Sequence, residues 1–489
     1  MSVSDYIYTT AVELTAAMDA GEVSAVELTQ AAIERIEHYD TDINAVCVHD
    51  FDRALTGARD ADEVRARGGR RAPLLGVPMT VKESFNVAGL PTTWGIPPFR
   101  NFVADDDAVA VKRLRAAGAV ILGKTNVPVA LGDLQTYNPV YGTTKNPWDV
   151  RRTPGGSSGG SAAALASGFG AVSLGSDIAG SLRIPAHFSG VYAHKPSFGL
   201  LPTRGHTPPP APPLAYDRDL TVIGPMARSA GDLAVMLDLL ADPDETAVGI
   251  AHRLALRTAR HDDLSSYRVL VLDTHPLIPT SDEVRAAIEH LASLLAAAGA
   301  RVERHSPLLP DPIEAARIYM RLLLAAMAAA YPPDSYQQAL DAAQRIDASD
   351  TSLAAERVRG AALSHRDWIA TDNLRARHRA GWSELFTRFD IVVCPASPTV
   401  AFPHDHSADQ WGRSIEINGA DHAYPDQLVW AGVATTPGLP ATVAPIGRSN
   451  EGLPIGAQFI GPLYEDRTPI RFAELLERET GGFTPPQFP

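Results

Sequence analysis

Helical and strand signals take turns along this chain, and that alternation restricts the folds open to it. Ser24-Ala-Val-Glu27 is a capping box, its hydroxyl and carboxylate spaced to satisfy free N–H groups. It opens a helix that runs to about His38. Asp106–Ala117 has helical spacing, Gly118 stops it, and Ala119–Leu122 reads as a buried strand. The unit recurs with apolar, β-branched Tyr267–Leu272, helical Asp282–Ala298, a stop at Gly299 and a returning strand at Arg301–Arg304. Such alternation predicts the α/β class with a largely parallel sheet. Residues 311–388 depart from it. They are rich in Ala, Leu and Arg, with helical periodicity and no strand signal, and read as a helical insertion or cap. Thr207–Leu214 (TPPPAPPL) reads as an exposed loop. No repeat of fixed period and no long polar linker divides the chain.

Charge narrows the partners. The balance is −14, and a nucleic-acid binder or a guest of anionic membranes is expected to be basic. No nucleic acid and no membrane is therefore expected. Two cysteines, Cys47 and Cys394, give no disulfide framework and suit a reducing cytosol. The first residues lack the basic start and apolar run of a signal peptide, so a cytoplasmic protein is expected. The basic residues are unevenly split: 38 are Arg and five are Lys (Lys82, Lys112, Lys124, Lys145, Lys195), all five within the first 195 positions. Where Arg supplies nearly all the positive charge, each Lys is a better candidate for a specific role, codon bias being the plain alternative.

Three segments carry the chemistry. Arg152–Ser161 (RTPGGSSGGS) packs glycines and serines ahead of an Ala-rich helix. A phosphate cradle would want a Lys after the glycines, and none follows. Gly155–Gly159 matches the G-x-S-x-G nucleophile elbow, yet a polar, turn-rich stretch precedes it where a buried strand belongs. A loop that sets a serine beside another catalytic group is the third reading. Next, Ala171–Leu174 reads as a short strand leading into Gly175-Ser-Asp-Ile-Ala-Gly-Ser181-Leu-Arg-Ile-Pro185. A small-residue turn there can aim successive N–H groups at an oxyanion, with Ser181 as nucleophile. A purely structural turn is the alternative. Finally, Lys82 ends the apolar run from Leu75, where burial lowers a lysine pKa and makes the amine basic and neutral.

Together these segments resemble the amidase signature family. The likeness covers Gly76–Thr93, Asn146-Pro-Trp148, Pro154–Ser161 and Asp177–Pro185. It continues through Gly190–Leu200 and Gly224–Arg228, and returns in Asp390–Thr399 and Gly438–Gly461. It implies one α/β domain over residues 1–489, a large twisted mixed sheet flanked by helices on both faces. The signature core would span 60–230, with 311–388 as a helical cap near the pocket. It implies a Ser–cisSer–Lys triad: Lys82 as base, Ser157 as relay after a cis peptide bond, Ser181 as nucleophile. The N–H groups of Ile178, Ala179, Gly180 and Ser181 would hold the oxyanion, with Ser158, Asp177 and Arg183 in support.

Two departures from the pattern bear on this. Ala179 stands where the family mostly has Gly, and a left-handed backbone there would be strained. Ile184 stands where glutamine-dependent amidotransferase subunits usually carry Gln, which weakens an ammonia-supplying role. Trp94, Leu134 and Tyr137 suggest an apolar, aromatic pocket. The expected substrate is a small molecule, a fairly large apolar or aryl amide, with carbamates (urethanes) and esters within reach of the same chemistry. No cofactor is implied, a homodimer is expected, and His194 is expected to be structural. His404-Asp-His406 lacks a third metal ligand, so no metal is expected. Two alternatives remain: a glutamine-amidotransferase-type A subunit, or an α/β-hydrolase-like esterase using Ser157.

Overall fold

Eleven strands drawn from residues 46 to 460 share one sheet in the computed structural model, which describes residues 2–68, 72–246 and 248–487. In chain order they are β1 (Val46–His49), β2 (Pro78–Lys82), β3 (Val120–Thr125), β4 (Val172–Asp177), β5 (Tyr192–Lys195) and β6 (Val222–Ala227). There follow β7 (Arg268–Val271), β8 (Arg301–Glu303), β9 (Ile391–Pro395), β10 (Ala441–Arg448) and β11 (Pro454–Ile460). Across the sheet they stand in the order β1-β3-β2-β4-β6-β5-β10-β11-β9-β7-β8.

The sheet is mixed rather than largely parallel. The pairs β3–β2, β2–β4, β9–β7 and β7–β8 are parallel, and the other six pairs are antiparallel. The reason lies in the connections. The helix–strand units legible in the sequence are β2–helix–β3 and β7–helix–β8, and a helical crossover returns a strand in the same direction. The middle of the sheet is built from strands such as β10 and β11, joined by a short turn, which forces an antiparallel pair.

Local signals held up well. α1 (Ala25–Ile43) starts on Ser24, whose side chain accepts the Glu27 N–H. It runs past His38 to Asn44, which takes the left-handed conformation at the C-cap while the Asp40 carboxylate accepts the N–H groups of Ala45 and Val46. Gly118 and Gly299 both stop their helices with positive φ. Two further helices frame the site: α2 (Gly159–Ala166), buried along its whole length, and α3 (Arg183–Ser189). Residues 311–388 are helical as read, as α4 (Pro312–Ala328) followed by Pro333–Gln344, Leu353–Ala361 and His365–Arg388. α4 buries Ile318, Tyr319, Met320, Leu322 and Leu323. Cys47 and Cys394 are both free. Among the described residues, no helix is long and apolar enough to cross a membrane.

Candidate active site

β2 and β4 lie side by side in parallel, with Val81 opposite Leu174, so their C-terminal ends open at the same edge. In open α/β sheets that edge is where ligands gather. Lys82 closes β2 with its side chain fully buried. Its Nζ lies 2.7 Å from Ser157 Oγ, 2.9 Å from Ser158 Oγ and 2.9 Å from Ser176 Oγ. No carboxylate pairs with it among the described residues. Burial holds its pKa well below the ordinary lysine value, against the opposing pull of Asp177.

The Gly/Ser loop delivers two of those hydroxyls. The Gly156–Ser157 peptide is cis. A side chain at Gly156 would put its Cβ 2.5 Å from the Asp133 carbonyl oxygen, so the position has no room for one. Ser158 then leads into α2, and its N–H donates to the Ser181 carbonyl at 3.1 Å, tying this loop to the next.

That next segment is the turn between β4 and α3. Asp177 Oδ1 accepts the Gly180 N–H at 2.9 Å, and Oδ2 accepts the Leu182 N–H at 3.0 Å. The same carboxylate pairs with buried Arg183 at 2.9 Å, which also donates to the Ala431 carbonyl, Gln458 Oε1 and Thr435 Oγ1. Although burial opposes it, Arg183 holds Asp177 down to a pKa of about 2. Gly180 carries the positive φ of the turn, +89°, and Ala179 does not, so the strain expected at Ala179 is absent. The Gly180 N–H is committed to Asp177. Those of Ile178, Ala179 and Ser181 have no acceptor among the described residues.

A cavity of about 620 Å³ opens over these groups. Ser157, Ser176, Ile178, Ala179 and Ser181 are on its wall, as are Trp94 and Leu134. Tyr137 is not. Its hydroxyl accepts from Arg413 at 2.7 Å and its ring stacks on His406 at 3.9 Å, behind the Asp133 wall. Trp94 takes φ 54°, rare for an aromatic residue. Buried Glu83 holds it there by accepting the N–H groups of Thr93 and Trp94, while the indole N–H donates to the Ser84 carbonyl. The remaining wall is mostly apolar, and much of it comes from far along the chain: Leu323, Ala326 and Met327 on α4, Tyr331 just after it, and Trp411 and Leu428. Pro208, Pro209 and Ala211 also face it, so the proline-rich loop shows its outer edge to solvent and its inner edge to the cavity. His194 sits elsewhere, between Thr442 Oγ1 and Asp466 Oδ1.

Residues 27–469 match the family model described as Amidase. The chain belongs to the amidase signature family. It is similar to the A subunit of glutamyl-tRNA(Gln) amidotransferase from Acidothermus cellulolyticus, 32% identical over 97% of this chain and 95% of that protein. It is also similar to fatty-acid amide hydrolase 2-A of Danio rerio, 30% identical over 95% of this chain and 87% of that one. Among solved structures, a 6-aminohexanoate cyclic dimer hydrolase matches with a TM-score of 0.76 and 26% identity, over 98% of this chain and 99% of that chain. This amidase is accordingly a C–N hydrolase of the family.

Sequence reasoning missed Ser176. It was in plain view in the amidase turn, but its contact with Lys82 depends on the pairing of β2 with β4, which no local pattern states. It also missed His206, buried on the cavity wall beside Trp94 with ring centroids 5.1 Å apart, and Arg218 on the same wall.

Proposed function

We propose that this amidase hydrolyses apolar or aryl amides, with carbamates as a further class, through an acyl-enzyme on Ser181. The observation that carries the reading is Lys82: a buried amine with three hydroxyl partners and, among the described residues, no counter-ion, conditions that favour the neutral form. A neutral amine has one lone pair, and the shortest contact, to Ser157, is where it accepts a proton. Ser157 in turn takes the proton of Ser181, whose oxygen attacks the carbonyl. The oxyanion forms against the N–H groups of Ile178, Ala179 and Ser181, a set narrowed by the commitment of Gly180 to Asp177. Ser157 then returns the proton to the leaving amine, and water releases the acyl group.

The mostly apolar wall supports a substrate with an apolar or aromatic body. An amidotransferase-type role is favoured by the likeness to A subunits and disfavoured by buried Ile184, which packs beside Gly180 behind the nucleophile turn. An esterase using Ser157 lacks its base: among the described residues no histidine hydrogen-bonds Ser157. The deciding experiment is a panel of short aliphatic amides, anilides and aryl carbamates, with Ser181→Ala as control. Hydrolysis of anilides lost in Ser181→Ala is expected. Preference for acetamide-sized substrates would sink the apolar-body reading.

A further inference from the structure

Charge on the cavity wall is nearly all matched. Asp133 accepts from Arg413 at 2.6 Å and from the Tyr424 hydroxyl at 2.8 Å. Asp177 is matched by Arg183. Half-buried Arg218 is the exception: its side chain has no ion pair and no hydrogen bond among the described residues. On the same wall stands His206, 3% exposed, whose Nε2 meets Ser84 Oγ at 3.0 Å and whose Nδ1 is itself buried, with no partner among the described residues. Burial first, then Lys82 and Arg218, hold the imidazole pKa well below its ordinary value, so the ring is neutral. These two residues flank the proline-rich loop at its two ends, one on each side of 207–217.

We propose that Arg218 forms a carboxylate-binding subsite, so that the substrate is an amide whose apolar body carries an anionic group remote from the scissile bond. The proposal rests on the hydrolase reading above and names its substrate class. A guanidinium fork fits a carboxylate with two parallel hydrogen bonds, and such bonds strengthen where water is displaced. The wall's own carboxylates do not repel the anion, since each is neutralised by an arginine. Recognition is local, because the protein's overall charge of −14 does not draw anions from a distance.

Calorimetry on the Ser181→Ala protein tests the subsite without turnover. 4-Phenylbutyrate is expected to bind at least ten-fold more tightly than 4-phenylbutan-1-ol, Arg218→Gln to remove the difference and Arg218→Lys to restore part of it. Equal affinities in the parent, or a preference that survives Arg218→Gln, overturn the subsite. In the active enzyme, the mono-anilide of adipic acid should exceed hexananilide in kcat/KM by a similar factor, and Arg218→Gln should collapse that ratio. The two readings fail separately. Acid-selective binding without any anilide turnover strikes the hydrolase reading and upholds the subsite. Hexananilide turnover with no acid selectivity does the reverse.

Discussion

The N–H of Gly180 donates to the carboxylate of Asp177 at 2.9 Å, so the turn that presents Ser181 is closed from within its own sequence. Asp177 also accepts from Leu182 and pairs with Arg183, which fixes the turn at both ends with one side chain. The arrangement removes one N–H from the proposed oxyanion set and in return holds the backbone of the others still.

Removing that carboxylate should be costly. Asp177→Ala leaves Arg183 buried without its counter-charge, and breaking a buried pair in this way costs about 3–5 kcal/mol. The expected result is a large fall in the urea midpoint together with loss of turnover. An unchanged midpoint contradicts the bracing role.

The three hydroxyls around Lys82 should not be equivalent. Ser157→Ala breaks the proposed relay and is expected to lower kcat by about 10²–10⁴. Ser176→Ala removes only a partner that orients the amine, and about a ten-fold loss in kcat with little change in KM is expected. Steady-state kinetics on both variants decides, and equal losses count against the ordering.

Activity should rise with pH. The proposed base works when Lys82 is neutral, and the neutral fraction grows as pH climbs through its pKa. Burial places that pKa well below the ordinary lysine value, so the limb is expected to level off below the pH range in which an exposed lysine titrates. A kcat/KM profile flat from pH 5 to 9 is the contrary result.

Two other buried lysines link pH to stability. Burial lowers Lys195 to about 7 and Lys124 to about 8. A lysine whose folded pKa lies below its unfolded value binds fewer protons when folded, so its contribution to stability rises with pH across that gap. Between pH 7 and pH 9 these two residues should raise the unfolding midpoint. Lys195→Met is expected to flatten the rise, as read by denaturant titration at several pH values. A slope unaltered by the substitution assigns the effect to other groups.

How much of this was written in the sequence varies with the range of the contact. Capping at Ser24, the stops at Gly118 and Gly299 and the helical run over 311–388 depend on neighbours a few residues away, and they were legible. So were the motif residues Lys82, Ser157, Ser158 and Ser181, through their order and spacing. The fate of the Gly180 N–H was legible too, in an Asp three residues ahead, though it went unread. Ser176 beside Lys82 depends on which strand pairs with which. Tyr137 was misplaced because proximity in the motif says nothing about which side of a wall a ring faces. The far wall of the cavity comes from residues around 323–331 and 411–428, and no local pattern brings those to Ser181.

Arg183 has a consequence for how the protein comes into being. Its guanidinium donates to the Ala431 carbonyl, Thr435 and Gln458, some 250 positions later in the chain. A ribosome makes Lys82, Ser157, Ser176 and Ser181 early, at about 5–20 residues per second, and the groups that steady their turn arrive last. The half-made chain therefore holds its reactive groups without the scaffold that aligns them. A truncation before Ala431 that spares Lys82, Ser157 and Ser181 is therefore expected to yield an inert product.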